Sequence, residues 1–521
     1  MSVHTLPFLL FVLVSVGVYY LTPKRFRRWV LLAASVVFYL SNGARAALYM
    51  GFTVVLTYTA ARILSHLNGI KPFGDTPEIR KQHKKRLKRW KNGVLAASLL
   101  LNLSSLVVLK YSAFIAEAVN GIAGWGLLPV PSFLLPLGIS FYIFQTSGYL
   151  IDIHREKVSA ERDFFKYTLF VTYFPQLVQG PINRYDAMSE ALYVGNSFAW
   201  GNIQRGTLRM MLGILKKAMI ADALAPAVAA VYGAYGDYPG AMSFLAAALY
   251  CVQLYCDFSG GMDLLCGVSA LFGIPMAENF ERPFFAASLA DFWRRWHISL
   301  GEWMKDYLFY PLAFSPFFTK LTKKARGILP AETVKRITPC LCTFIVFLAV
   351  GVWQGPGFAN IAYGLWNGFW MSLGLLAVPF FARHKDKLPK NKAFVILWGI
   401  LRTNFLVIIG RYFSNAAGGS LRNALGMLRH TVVSPQFAGV TPALFAELGL
   451  GMGVLLQVGI ALCVLFVISL LQERGVDLFD GFCRLPTAVQ FLLLFAGVAV
   501  IVFGVYGNGD YTPIAFVYEN V

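Results

Sequence analysis

The sequence predicts an all-α polytopic membrane protein with about 11–12 transmembrane helices, and re-entrant or interfacial helices between them. Three observations carry this prediction. Hydrophobic residues make up 57% of the 521 and charged residues only 14%, whereas soluble domains carry roughly 25% charged residues. Apolar runs of about 20 residues, enough to cross the hydrocarbon, recur along the whole chain. The basic residues gather in short stretches between those runs, which is the asymmetry that orients membrane proteins. Residues 1–521 therefore read as a single membrane domain.

The first run, about 5–22, ends at Lys24-Arg25-Phe26-Arg27-Arg28. A cleaved signal peptide carries its positive charge ahead of the apolar segment. Here the charge follows, which predicts a retained first span with its start outside and its end inside. Runs at about 29–43 and 47–66 come next. The stretch 71–91, with Lys84-Lys85-Arg86-Leu87-Lys88-Arg89, is the most basic in the chain, and span parity independently puts it inside. Runs at about 93–113 and 130–152 enclose a loop without Lys or Arg, and His154-Arg155-Glu156-Lys157 follows inside.

Residues 164–181 are apolar but interrupted by Pro175 and Gly180, as in a re-entrant segment or one lying on the inner face. Runs at about 207–231 and 241–271 precede a polar-aromatic stretch over 277–336, basic at Lys320, Lys323, Lys324 and Arg326. Runs at about 338–354 and 357–382 lead to Arg383-His384-Lys385. Runs at about 393–411, 448–471 and 486–506 complete the set, with both termini predicted outside. No repeat with a period of 20–50 residues is present.

The net charge is +20 and the pI about 9.6. In a soluble protein that would point to nucleic acid. Here the charge sits in loops between spans and no nucleic-acid-reading motif accompanies it, so no nucleic-acid partner is expected. The seven cysteines, Cys251, Cys256, Cys266, Cys340, Cys342, Cys463 and Cys483, form no CxxC pair and read as small buried hydrophobes. No His/Cys/Asp cluster has ligand spacing, so neither a metal nor a bound cofactor is expected. The spans show no inverted repeat, which makes a transporter a poorer fit.

Ionisable groups at membrane depth are expensive and mark candidate sites. The densest set runs from Asp291 to Tyr307. Read as one helix, it puts Trp293, Trp296, Leu300 and Trp303 near one face, with Arg294, His297, Glu302 and Lys305 spread over the others. An interfacial amphipathic helix explains the Trp and Arg residues, and His297 next to Trp296 is the candidate for chemistry. A second site surrounds Gly355-Pro356-Gly357, which breaks the helix between two apolar runs and brings in Gln354, Asn360 and Asn367. A third holds Asp257 and Asp263, six residues apart in an apolar run. They are expected to pair with the arginines of the Asp291–Arg295 segment. Glu278 opens the approach to that segment.

These residues resemble a known family. Glu278-Asn279-Phe280, Arg282-Pro283-Phe284, Asp291-Phe292-Trp293-Arg294-Arg295-Trp296-His297-Ile298-Ser299-Leu300, Trp303, Asp306-Tyr307-Leu308 and Pro311-Leu312 look like the signature of the membrane-bound O-acyltransferase (MBOAT) family. More narrowly, they resemble its bacterial alginate O-acetylation and teichoic-acid D-alanylation branch. Pro136-Leu137-Gly138-Ile139-Ser140-Phe141-Tyr142 with Gln145-Thr146, Phe174 to Ile182, Asp257-Phe258-Ser259-Gly260, and the tail Gly504-Val505-Tyr506-Gly507 with Ala515-Phe516-Val517-Tyr518 agree. The resemblance covers nearly the whole chain.

It implies the MBOAT fold in a bacterial plasma membrane. A cytoplasmic acyl thioester, acetyl-CoA or an acyl carrier protein, would be the co-substrate. The acyl group, acetyl in the alginate-type relatives, would cross a funnel to an extracytoplasmic polysaccharide, with an SGNH-type or similar partner completing transfer. A Trp-His-Gly histidine would act as base, with His297 supporting it. Trp293, Arg294, Trp296, Trp303, Asp306, Trp353, Asn360 and Asn367 would line the funnel, and Asp257, Asp263 and Glu278 would be structural polar residues. This chain departs at Trp353-Gln354-Gly355, and has Asn367 where a further His is frequent. Glutamine does not titrate near neutral pH, and loss of acid–base help typically costs about 10²–10⁴ in rate. Two readings follow. In one, His297 supplies the base and Gln354 orients the acyl carbonyl. In the other, the chain is a non-catalytic scaffold or acyl conduit.

Overall fold

The structure, a computed structural model, describes Val3 and residues 5–133, 135–384, 391–416, 419–506 and 514–517. Lys385 of the Arg383-His384-Lys385 cluster and Gly507 and Tyr518 of the tail motif lie outside the described residues. The chain is all-α. Among the described residues, seven helices are long and apolar enough to cross a membrane: Ala44–Gly69, Pro77–Ala123, Gly240–Leu271, Ala331–Gln354, Phe358–Arg383, Lys392–Ser414 and Met452–Glu473. Leu6–Leu21 and Thr487–Phe503 are shorter apolar helices.

Other apolar runs fold differently from the expected straight spans. The run at about 29–43 becomes Arg27–Leu40, 14 residues long, and that at about 130–152 becomes Ile139–His154, 16 residues long. The run at about 207–231 is divided by a π-turn, Lys217–Ala221, between helices Trp200–Lys216 and Asp222–Gly233. The basic stretch is not a loop from end to end. Thr76 caps a helix by accepting from the Ile79 N–H (3.3 Å), and that helix runs unbroken from Pro77 to Ala123, 47 residues. Lys, Arg, Gln and Leu are all good helix formers, so charge marks the side of the membrane without ending the helix.

The Cα positions group into two compact units. The first comprises Met1–Leu212, Gly261–Ala277 and Ala515–Asn520. Its core includes the rings of Phe8, Phe38 and Phe174, with centroids 5.8–6.4 Å apart. Residues 169–183, containing the end of Phe164–Thr172 and the short Phe174–Leu177 turn, are buried throughout. That suits a re-entrant segment, because irregular backbone at membrane depth survives only inside protein or beside water. Gly138, at φ +68°, lies against this turn; a Cβ there would fall 1.7 Å from the Leu177 carbonyl oxygen.

The second unit comprises Gly213–Gly260 and Glu278–Ile514. It contains the hairpin of Ala331–Gln354 and Phe358–Arg383. Gly355-Pro356-Gly357 turns it, with Gly357 at φ +145°. The two helices touch through glycine: a Cβ on Gly351 would lie 2.5 Å from the Asn360 carbonyl oxygen and 2.8 Å from Gly364 Cα.

The carboxylates of the third candidate site do not pair with the arginines of 291–295. In the first unit Asp263 accepts from Arg209 Nε (3.0 Å). In the second, Asp257 and Asp222 hold the ammonium of Lys217 at 2.6 and 2.8 Å, all three side chains being nearly fully buried. The π-turn carries Lys217 inward at that level. A buried ion is tolerated only with such close partners.

Candidate active site

The stretch 291–307 is not one helix. It breaks at Trp296-His297 into Leu289–Arg295 and Ile298–Met304, and a π-turn, Lys305–Phe309, follows. The cause lies upstream, in 279–281, which runs antiparallel to 295–298. Glu281 N–H donates to the Arg295 carbonyl (2.9 Å), Phe280 and Trp296 form an isolated bridge, and Ile298 N–H donates to the Asn279 carbonyl (3.1 Å). The Asn279 side chain then accepts from Ser299 N–H (2.9 Å), capping the second helix from a distance of twenty residues. His297 is left at φ +49°, ψ +55°, the left-handed region, where a residue other than glycine costs about 1–3 kcal/mol.

This turn buries the imidazole. Trp296 and His297 are each 2% exposed. Phe258 meets the imidazole edge-on at 4.8 Å, and the Trp353 ring lies 5.7 Å away. His297 stands between two short helices, outside the spanning ones, and burial lowers its pKa to about 3. The group is therefore neutral at ordinary pH, the form that can accept a proton.

The second candidate site meets the first here. Trp353 is buried at the end of Ala331–Gln354, Gln354 follows half-buried, and the Asn360 amide lies beside Gly355. Trp293 Nε1 donates to Asn367 Oδ1 (3.2 Å), and Asn367 Nδ2 donates to the Tyr363 carbonyl (2.9 Å). Asn367 thus fastens the Trp-rich segment to the hairpin.

The remaining predicted residues are dispersed. Arg294 points outward, 76% exposed, and pairs with Asp291 (3.0 Å). Trp303 packs on Tyr307 at 5.2 Å, Asp306 is half-buried in the π-turn, and Glu278 is exposed. Arg295 reaches both Asp291 and Glu473, and Arg282 also donates to Glu473 (2.7 Å). Glu473, the last residue of Met452–Glu473, was not singled out in the sequence. Arg411 was also missed: its guanidinium lies over the Trp296 ring at 5.1 Å and is 2% exposed. An arginine near the end of an apolar run is a signal that could have found it. Tyr255, beside Trp296 at 6.2 Å, also borders a half-open cavity of about 240 Å³ lined by Leu462, Leu465 and Phe466. Among the described residues no cluster of three His, Cys, Asp or Glu could hold a metal.

Fold and site together define a polytopic membrane protein with a buried, neutral imidazole walled by aromatic rings. The profile of the membrane-bound O-acyltransferase family matches residues 154–326. A probable alginate O-acetylase AlgI of Azotobacter vinelandii is 31% identical over 417 residues, covering 78% of this chain and 75% of that protein. A peptidoglycan O-acetyltransferase of Helicobacter pylori is 29% identical, covering 68% and 67%. A teichoic acid D-alanyltransferase of Bacillus subtilis is 28% identical, covering 53% and 67%. The chain belongs to the membrane-bound O-acyltransferase family, and is an acyltransferase of that class.

Proposed function

We propose that the protein transfers an acyl group, acetyl in the first instance, from a cytoplasmic thioester to an extracytoplasmic cell-envelope polysaccharide or a partner protein that serves it. The donor is acetyl-CoA or an acyl carrier protein, and an SGNH-type partner completes the transfer outside. The protein then resides in the bacterial plasma membrane with both termini outside. The relatives' named polymers (alginate, peptidoglycan and teichoic acid) support the acceptor class.

The observation that carries the chemistry is the neutral, buried His297 beside Trp353-Gln354. His297 takes the proton of the acceptor hydroxyl as its oxygen bonds to the thioester carbonyl carbon. The Gln354 amide donates to the carbonyl oxygen as negative charge develops there. Collapse breaks the C–S bond, and the imidazolium returns the proton to the departing thiolate.

The test is purified protein in liposomes with labelled acetyl donor. Wild type transfers label and His297→Asn does not. Transfer that survives His297→Asn overturns the assignment. A second reading, the non-catalytic scaffold or conduit, is favoured by one observation: amides stand at both Gln354 and Asn367. A large gain of transfer in Gln354→His supports that reading over the first.

A further inference from the structure

We infer that Arg411 is the positioning residue of this site, holding the strained Trp296-His297 turn closed with a planar cation. The inference rests on the reading of His297 as the catalytic base. An arginine buried in the spanning helix Lys392–Ser414 is costly unless its surroundings compensate it. Here they do so with aromatic groups. The guanidinium lies over the faces of Trp296 (5.1 Å) and Tyr363 (5.8 Å), and its Nη1 donates to the Tyr363 hydroxyl (3.3 Å). The Arg411 carbonyl accepts from the Tyr232 hydroxyl (3.2 Å). Gly410 makes the approach possible, because a Cβ there would already lie 3.3 Å from the Trp366 ring.

Trp296 is enclosed on its other sides by Phe292 (stacked, 5.5 Å), Phe280 (edge-on, 5.1 Å) and Tyr255. Arg411 thus joins three rings in caging the side chain that precedes His297. His297 is in the left-handed region, so its backbone relaxes as soon as its neighbour is free to move. Tyr363 is on the same helix as Asn367, which holds Trp293. Arg411 and Asn367 therefore clamp the C-terminal turn of Leu289–Arg295, at Trp293 and Trp296, to one helix of the hairpin. Shape matters as well as charge: a guanidinium stacks flat on indole, whereas an ammonium is a compact, strongly hydrated point charge.

The experiment compares wild type, Arg411→Lys, Arg411→Met and Tyr363→Phe, each in detergent and in liposomes. Two quantities are read: kcat and KM for labelled acetyl donor, and the rate at which diethyl pyrocarbonate modifies His297, followed by peptide mass spectrometry. In wild type His297 is protected. Loss of a desolvated cation–π contact is expected to raise its labelling by about thirtyfold in Arg411→Met. The same variant should lower kcat comparably, with KM within about twofold. Arg411→Lys should fail to restore either value, and Tyr363→Phe should fall between. Wild-type labelling and kcat in Arg411→Lys would overturn the inference, as would a change confined to KM, which would make Arg411 a substrate-binding group. If Arg411→Met does not fold, Arg411→Lys and Tyr363→Phe decide. If wild type transfers nothing, the proposed function fails, while the labelling rates still test the clamp.

Discussion

Asn279→Ala should open the Trp296-His297 turn without touching the imidazole. The Asn279 side chain supplies the acceptor for Ser299 N–H at 2.9 Å, and Ser299 is 5% exposed. Loss of such a cap costs about 1 kcal/mol, within a range of 0.5–2. Leaving the N–H buried and unsatisfied moves the cost toward the upper end of about 1–3 kcal/mol. His297 already carries the left-handed penalty at φ +49°, so the alternative, a helix continuous through 291–307, gains what the turn loses. A net 2–3 kcal/mol shifts the equilibrium between closed and open turn by about 30- to 160-fold. The assay is acetyl transfer in liposomes beside the thermal midpoint of the purified protein. Asn279→Ala should lower kcat by at least tenfold, with a modest fall in midpoint. Asn279→Asp keeps an oxygen acceptor and should stay close to wild type. Wild-type kcat in Asn279→Ala, or equal damage by both variants, would refute the argument.

Three further predictions concern other elements. The lowered pKa of His297, about 3 against an ordinary 6.5, means the unfolded state binds the proton first as pH falls. The native state should lose stability from about pH 6.5 down toward 3 and show no such slope above it; His297→Asn should lack that slope in melts taken across the range. Lys217→Met leaves Asp222 and Asp257 buried without their ammonium and should destabilise by about 3–5 kcal/mol; adding Asp222→Asn and Asp257→Asn should recover much of the midpoint. Gly351→Ala sets a methyl against the Asn360 carbonyl and Gly364 Cα; it should lower the midpoint by several degrees, whereas Gly374→Ala on the same hairpin, where nothing lies within 4 Å, should not.

Much of the architecture was legible because hydrocarbon imposes one simple demand, a long apolar run, and 47–66, 241–271, 338–354, 357–382, 393–411 and 448–471 all answer it. What the pattern missed was set by tertiary pairing. No proline interrupts 291–307; the break at Trp296-His297 comes with hydrogen bonds to 279–281, and only the position of His297 was readable. The partners of Asp257 and Asp263 are 40 and 54 residues upstream on a turn and a helix, and sequence proximity to the motif arginines pointed the wrong way. The basic stretch carried an expectation of membrane side but none of shape, because Lys and Arg serve a loop and a helix equally well. Gln354 was legible as a departure, and only the fold brings its neighbour Trp353 against the His297 imidazole.

The Pro77–Ala123 helix has a mechanical consequence. At 1.5 Å per residue its 47 residues extend about 70 Å, well beyond the roughly 40–45 Å of a whole bilayer with its headgroups. The exposed basic end from Arg80 to Arg89 is therefore the free arm of a rod whose other arm is anchored in lipid. No break in the helix separates them, so a sideways pull on the charged arm arrives in the bilayer as a tilt of the anchored one.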